Sequence, residues 1–258
     1  MELYDAIFYR KSTKKYSKNK LSISMFEEVR NICNDIESLD ESIKVKAYPI
    51  LKGDSLKFII KKGHRIVAPH YILLTVQLPE ETDQEEPINY FDSVGFAGEK
   101  LVLTLTEMGL ATCWIGNSFN KELILDFVIL EENEIPAMLI AFGFPEGKDS
   151  LFRKKEEKLD RKPLKQIAKN IDEKWEDIIE CVRLSPSYKN SQPWRFYQNN
   201  ESLDIYMKKD SNEDINRVNM GIALKHFEIG CKYNNIDFEY IKLNLKDKLR
   251  KEYYISVV

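Results

Sequence analysis

The string Ser185-Pro-Ser-Tyr-Lys-Asn-Ser-Gln-Pro-Trp-Arg-Phe196 gathers the side chains best placed to do chemistry. Its serines and asparagine offer hydrogen-bond donors and acceptors to a flat heteroaromatic ligand. Pro186 and Pro193 fix the backbone and lower the entropy lost on binding. A capped, proline-rich turn would account for the Pro-Ser pair alone, but not for the full PSxxNxQPWxF spacing. A second feature is the strongly cationic run Arg10-Lys11-Ser12-Thr13-Lys14-Lys15-Tyr16.

Several other chemistries are disfavoured. Cys33, Cys113, Cys181 and Cys231 lie far apart, with no CxxC pair, so no metal site is expected and buried reduced thiols are the simpler reading. His64, His70 and His226 sit in no HExxH and beside no Ser or Cys motif. Ser12-Thr13-Lys14-Lys15 satisfies SxxK without its companion motifs. GxGxxG is missing, and only 10 glycines are present, which disfavours a dinucleotide fold of the usual kind. With 39 basic and 42 acidic residues, the net charge of −3 argues against a nucleic-acid partner. The longest apolar runs, Ile66 to Val76 and Ile135 to Phe144, are too short to span a bilayer. The start of the chain has no basic flank or apolar signal core. A cytoplasmic protein without a membrane partner is expected, and 43% apolar residues in 258 suffice for a sizeable core.

The elements that must position these residues follow from periodicity. Helices are expected over Leu3 to Tyr9, over Met25 to about Ile36 with Ser24 as cap, and over Val94 to Met108. Others are expected over Lys121 to Leu130, Glu173 to Val182 and Val218 to Tyr233. Val94 to Met108 is apolar on several faces, as a central helix is, and Gly109 is its stop. Strands are expected over Tyr71 to Val76, Ala111 to Ile115, Ala137 to Phe144, Trp194 to Tyr197, Leu203 to Met207, Phe238 to Leu243 and Tyr253 to Val258. Residues 37–65 show no clear pattern, and Glu80 to Pro87 reads as an acidic exposed loop. Residues 146–163 read as an irregular charged crossing.

Two helices recur. Glu27-Glu28-Val29 matches Glu176-Asp177-Ile178. At a shorter common spacing, Gly95 matches Gly221, Ala97 matches Ala223, and Phe96, Leu101 and Leu103 meet Ile222, Phe227 and Ile229. A duplication is expected, with an additional segment in the first half before its central helix.

The loop at 185–196 resembles the (A/S)PSxxNxQPW loop of the FMN-dependent nitroreductase family. Arg10-Lys11-Ser12-Thr13-Lys14 is similar to that family's N-terminal RxSxR/K segment. Gly109-Leu-Ala-Thr-Cys-Trp114-Ile115-Gly116 is similar to its GLGTxW(I/L)G stretch, and Arg161-Lys-Pro-Leu164 to its late RxPL element. The order is the same and most of the chain is covered. A usual member is a homodimer of chains each carrying all four elements. Here the first half lacks PSxxNxQPW, and the second lacks RxS and the WIG stretch. The resemblance therefore implies an α+β, nitroreductase-like fold, internally duplicated so that one chain mimics the family homodimer. Each half would be a mostly antiparallel sheet packed with helices, residues 1–165 with an insertion around 37–90 and residues 166–258, acting as a monomeric pseudo-dimer.

The same resemblance implies an FMN site. Arg10 and Arg161 would hold the phosphate, since an ionised arginine contacts phosphate bidentately, with Ser12 adding a hydroxyl. Lys14 would stabilise negative charge on the reduced ring; Lys11 belongs to the same segment but is equally well placed to face solvent. Backbone N–H groups of Trp114, Ile115 and Gly116 would reach the ring, although the Trp114 side chain could equally be core. Ser185, Pro186, Ser187 and Asn190 would approach from the other half, while Gln192 and Trp194 hold the loop. The implied reaction passes reducing equivalents from NAD(P)H through flavin N5 to a small-molecule acceptor such as a nitroaromatic or quinone. Open alternatives are a flavin-binding or electron-carrier protein with little turnover, a related flavin reaction such as dehalogenation or flavin destruction, and a phosphate-ligand binder without redox chemistry.

Overall fold

The structure, a computed structural model, describes residues 1–51, 60, 66–78, 89–116, 119–147, 151–154, 157, 159–199 and 201–258. The acidic stretch from Glu80 to Pro87, and much of the insertion, lie outside them.

Two helices form the centre. α1 (Leu3–Tyr9) and α2 (Ile23–Asn34) precede α3 (Tyr90–Glu107), and the short α4 (Leu164–Ile167) and α5 (Glu173–Arg183) precede α6 (Glu213–Tyr233). α3 and α6 pack face to face and are buried over most of their length. α3 starts at a capping box: Asn89 Oδ1 accepts from Phe91 N at 3.0 Å, and Asp92 Oδ2 accepts from Asn89 N at 2.9 Å. It stops at Gly109, whose φ of 78° lies in the left-handed region expected just beyond a helix end.

The crossing of α3 and α6 is made backbone to backbone. A Cβ on Gly95 would lie 2.1 Å from Val218 O and 3.0 Å from Ile222 N; one on Gly221 would lie 1.8 Å from Asp92 O and 2.8 Å from Phe96 N. The contacts are reciprocal, and no other residue type fits either position. Each helix also reaches into the other's core: Ile222 joins the cluster around Ile72, Leu74 and Ile140, and Phe96 joins the one around Trp194, Ile205 and Phe227.

Each helix carries a sheet. β1 (Val45–Ile50), β2 (His70–Gln77), β3 (Ala111–Ile115) and β4 (Glu134–Gly143) form an antiparallel sheet in the order β1-β2-β4-β3. β5 (Ala168–Lys169), β6 (Trp194–Gln198), β7 (Leu203–Lys208), β8 (Tyr240–Ile241) and β9 (Lys251–Val257) form the other, in the order β5-β6-β7-β9-β8. Only its β5–β6 pair is parallel. The expected α+β content, with mostly antiparallel sheets packed on helices, is what the chain adopts.

Some elements differ from expectation. α2 starts two residues early because Ser22, not Ser24, is its cap: Ser22 Oγ accepts from Met25 N at 3.2 Å, while Ser24 only bonds the Ser22 hydroxyl. No α-helix forms from Lys121 to Leu130. A single 3₁₀ turn, Leu123–Asp126, forms instead, because only Ile124 and Val128 are buried while Leu123, Leu125, Phe127 and Ile129 face out. The strand expected over Phe238 to Leu243 pairs with the C-terminal strand only from Glu239 to Ile241, and Leu243 N is taken instead by the Tyr253 hydroxyl. β1 is concealed in the sequence by Pro49, which is tolerated because β1 is an edge strand.

Candidate functional site

A cavity of about 410 Å³ opens between β3, α6 and the loop after α5, a size ordinary for a small-molecule site. Ser12 and Lys14 reach it from the segment after α1. That segment is pinned to β3 where Thr13 N donates to Thr112 O at 2.9 Å. Trp114 and Gly116 come from the end of β3, Arg161 from the crossing segment, and Pro186, Ser187 and Asn190 from the loop after α5. Val218, Asn219 and Ile222 of α6 complete the wall.

The loop is held in a conformation it would not choose alone. Lys189, Asn190 and Gln192 all have positive φ, at 49°, 56° and 48°, which costs on the order of 1 kcal/mol or more for each non-glycine residue. Local bonds compensate. Ser187 Oγ accepts from Gln192 N at 3.0 Å, and the Gln192 amide spans Lys162 N and Asn190. Lys162 Nζ donates to the carbonyls of Ser191 and Gln192. Burial, with Arg195 and Lys208 nearby, pushes the Lys162 ammonium down to about 8. Gln192 and Trp194 are both buried, Gln192 within the bonds of the loop and Trp194 in the core with Phe196 and Ile205.

Beside the cavity three guanidinium groups converge; among the described residues none of them forms an ion pair, although Asp160 lies near Arg161 and Glu157 near Arg153. Arg10 is 2% exposed; its Nη2 donates to Ser12 Oγ at 3.1 Å, and its Nε and Nη1 have no partner among the described residues. Arg161 Nη1 donates to Asn190 Oδ1 at 2.9 Å, but its Nε is unpartnered. Arg153 Nη1 too is unpartnered among the described residues. Burial and the neighbouring Arg10 and Arg161 charges push Arg153 down to about 10, and burial with Arg10 and Arg183 does the same to Arg161. Like charges brought together out of water, with N–H groups unsatisfied, describe an anion site.

Trp114 is held from behind. Its Nε1 donates to Glu99 Oε2 at 2.8 Å; Glu99 Oε1 lies 2.9 Å from His226 Nε2, and His226 Nδ1 lies 2.9 Å from the Cys181 carbonyl. A carbonyl only accepts, so Nδ1 donates to it and Nε2 is the nitrogen that faces the carboxyl. Glu99 and His226 are both fully buried, and they tie α3 to α6. Gly98 leaves room for the indole, since a Cβ there would lie 2.3 Å from Trp114 Cη2. Trp114 is thus both packed against the core and part of the cavity wall.

Of the residues singled out in the sequence, Ser12, Lys14, Trp114, Gly116, Arg161, Pro186, Ser187 and Asn190 come together at the cavity. Arg10 stands behind Ser12. Lys11 lines a neighbouring depression with Lys15 and Glu146, which shares Ser12 and Lys14 with the cavity. The Ile115 side chain lies in the core beneath the sheet. Ser185 is fully buried at the end of α5 with its hydroxyl unpartnered. Arg153, Tyr188 and Asn219 were not anticipated. The only sequence signal for Asn219 is polar residues at helical spacing, Asn212, Asn216 and Asn219, inside an apolar run.

The family described as "Putative TM nitroreductase" matches residues 2–231. No curated protein matches the chain. Among solved structures, a "putative nitroreductase (tm1586)" from Thermotoga maritima is similar over 100% of this chain and 92% of its own, with 20% identity and a TM-score of 0.61, which supports the fold. A nitroreductase family protein from Clostridium novyi NT covers 58% of this chain and 88% of its own at 21% identity and a TM-score of 0.47. The nitroreductase family protein from Streptococcus pneumoniae TIGR4 covers 66% and 100% at 17% and 0.49. With 2–231 matched by one family and the fold shared along the whole chain, this protein belongs to the TM1586-type nitroreductase family.

Proposed function

We propose that the chain is an FMN-dependent oxidoreductase carrying reducing equivalents from NAD(P)H to a small organic acceptor such as a nitroaromatic or quinone. The observation that carries this reading is the cluster of unpartnered buried N–H groups on Arg10, Arg153 and Arg161, next to a cavity walled by Trp114 and the 186–190 loop. These residues fit FMN: a dianionic phosphate would satisfy the guanidinium groups, and a flat ring suits the cavity. When bound, FMN would supply the redox chemistry, taking a hydride from the donor and passing electrons to the acceptor.

The chain's own residues bind and orient. Arg10, Arg153 and Arg161 neutralise the phosphate, with Ser12 oriented by Arg10. Lys14 brings a positive charge to the cavity, where it favours a reduced, anionic ring. Gly116 lets the backbone come close; a side chain there would meet Ile215 Cδ1 at 2.8 Å. Trp114 forms one wall, fixed through Glu99.

The same proposal reads residues 1–165 and 166–258 as duplicated halves acting as a monomeric pseudo-dimer, for which the reciprocal Gly95 and Gly221 contacts speak. It needs no nucleic acid or membrane partner; no helix among the described residues is long and apolar enough to cross a membrane. Four free, buried cysteines suit the reducing cytoplasm. The test is an absorption spectrum of the purified protein, mass identification of released flavin, and NAD(P)H oxidation with menadione or a nitrofuran. Yellow protein releasing FMN is expected; protein that stays colourless after FMN is added overturns the reading.

A further inference from the structure

Beside the cavity lies a second chamber of about 420 Å³. It shares Tyr188, Lys189 and Asn219 with the first and extends along the first turns of α6. Two of its residues, Asn216 and Asn219, are 3% and 4% exposed. Each amide is half used. Asn216 Nδ2 donates to Lys208 O at 2.7 Å, and Asn219 Oδ1 accepts from Tyr188 N at 2.9 Å. Those backbone partners fix which end of each amide is oxygen and which is nitrogen. The Oδ1 of Asn216 and the Nδ2 of Asn219 remain, neither with a protein partner among the described residues. Both residues line the chamber, so a single ligand there can engage both groups.

At i and i+3 the two side chains share one helix face, roughly 5–6 Å apart at Cβ. One presents an acceptor and the other a donor. A primary carboxamide is the complement, with an N–H₂ to give and a carbonyl to receive. An anion is disfavoured, because the Lys189 charge in the lining is offset by Asp210, Glu213 and Asp214 occupy the first turn of α6, and Asn212 Oδ1 already accepts from Ile215 N.

We propose that Asn216 and Asn219 form a subsite for a primary carboxamide borne on an aromatic ring. The proposal rests on the oxidoreductase reading and deepens it. The amide has two possible sources, the nicotinamide of the electron donor or a benzamide-type acceptor, and paired ligands distinguish them. Calorimetry on the oxidised holoprotein, where no turnover occurs, compares NAD(P)⁺ with its 3-acetylpyridine counterpart, and 4-nitrobenzamide with 4-nitroacetophenone. Each ketone keeps the carbonyl and loses the N–H₂. In one pair the amide should bind about tenfold more tightly, as expected for one additional hydrogen bond.

Asn216→Ala should bring that ratio close to one. Asn219→Asp still offers an oxygen to Tyr188 N but no donor, and should weaken both members about tenfold. A ratio near one in both pairs for the natural protein, or a ratio that survives Asn216→Ala, or unchanged affinities in Asn219→Asp, overturns the proposal. Flavin content is read separately from the spectrum, so absent flavin counts against the function, while equal amide and ketone affinities count against the subsite.

Discussion

Arg161 and Asn190 are locked together: Arg161 Nη1 donates to Asn190 Oδ1 at 2.9 Å, while Asn190 Nδ2 donates back to the Asp160 carbonyl at 2.8 Å. One asparagine thus fixes both an arginine of the anion site and a loop held at a φ of 56°. Asn190→Ala loses the amide and adds backbone strain; Asn190→Gly loses the amide alone. The alanine variant should be the less stable of the two by about 1 kcal/mol, measured by urea unfolding, and both should bind FMN more weakly than the natural protein.

Arg153 separates phosphate recognition from ring recognition. Arg153→Ala should weaken FMN binding roughly ten- to a hundredfold, the range for a charge-assisted hydrogen bond, and leave riboflavin affinity nearly unchanged. Because Arg10 and Arg161 repel Arg153 in the empty site, the same change should not destabilise the flavin-free protein. Equal losses for FMN and riboflavin would place Arg153 outside the phosphate site.

Gly221→Ala tests the helix crossing. In an exposed helix interior the exchange adds about 1 kcal/mol of stability. Here the new methyl would meet Asp92 O at 1.8 Å, so the sign should reverse, with a loss of about 3 kcal/mol or more. Thermal unfolding of the variant reads this directly.

Asp92 makes stability depend on pH. Burial, only partly opposed by Arg217 and the bond from Asn89, pushes its carboxyl up from 3.8 to about 7. The folded chain therefore holds this proton more tightly than the unfolded chain. The resulting stability is complete below about pH 4 and is lost as pH rises through about 7, a change on the order of 4 kcal/mol. Asp92→Asn retains an oxygen for Asn89 N and removes the titration. It should flatten the fall in urea midpoint between pH 5 and 8 and be the more stable form at pH 8.

What the sequence reveals is what is local. The Arg10 to Lys14 segment, the strand and turn ending at Gly116 and the 185–193 loop carry their chemistry within a dozen residues, and the cavity gathers residues from all three. The paired glycines and many-sided apolar faces of α3 and α6 likewise mark central helices. The Glu99–His226 pair is illegible because its partners stand 127 positions apart, and a lone glutamate in a helix ordinarily reads as solvated. Arg153 acquires meaning only once folding sets it near Arg10 and Arg161. The helix expected from Lys121 fails for a different reason: apolar residues are plentiful there, but the turn buries Ile124 and Val128 and leaves their neighbours outside.

The backbone contact at Gly95 and Gly221 also bears on how the protein behaves when scarce. A pocket shared between separate subunits comes apart on dilution, as mass action requires. Here Ser12 and Trp114 stand on one side and Asn190 and Ile222 on the other, joined by a single polypeptide. On the proposed pseudo-dimer reading, tethering makes their meeting a first-order event, so a cell holding a handful of copies would keep the same fraction assembled as one holding thousands.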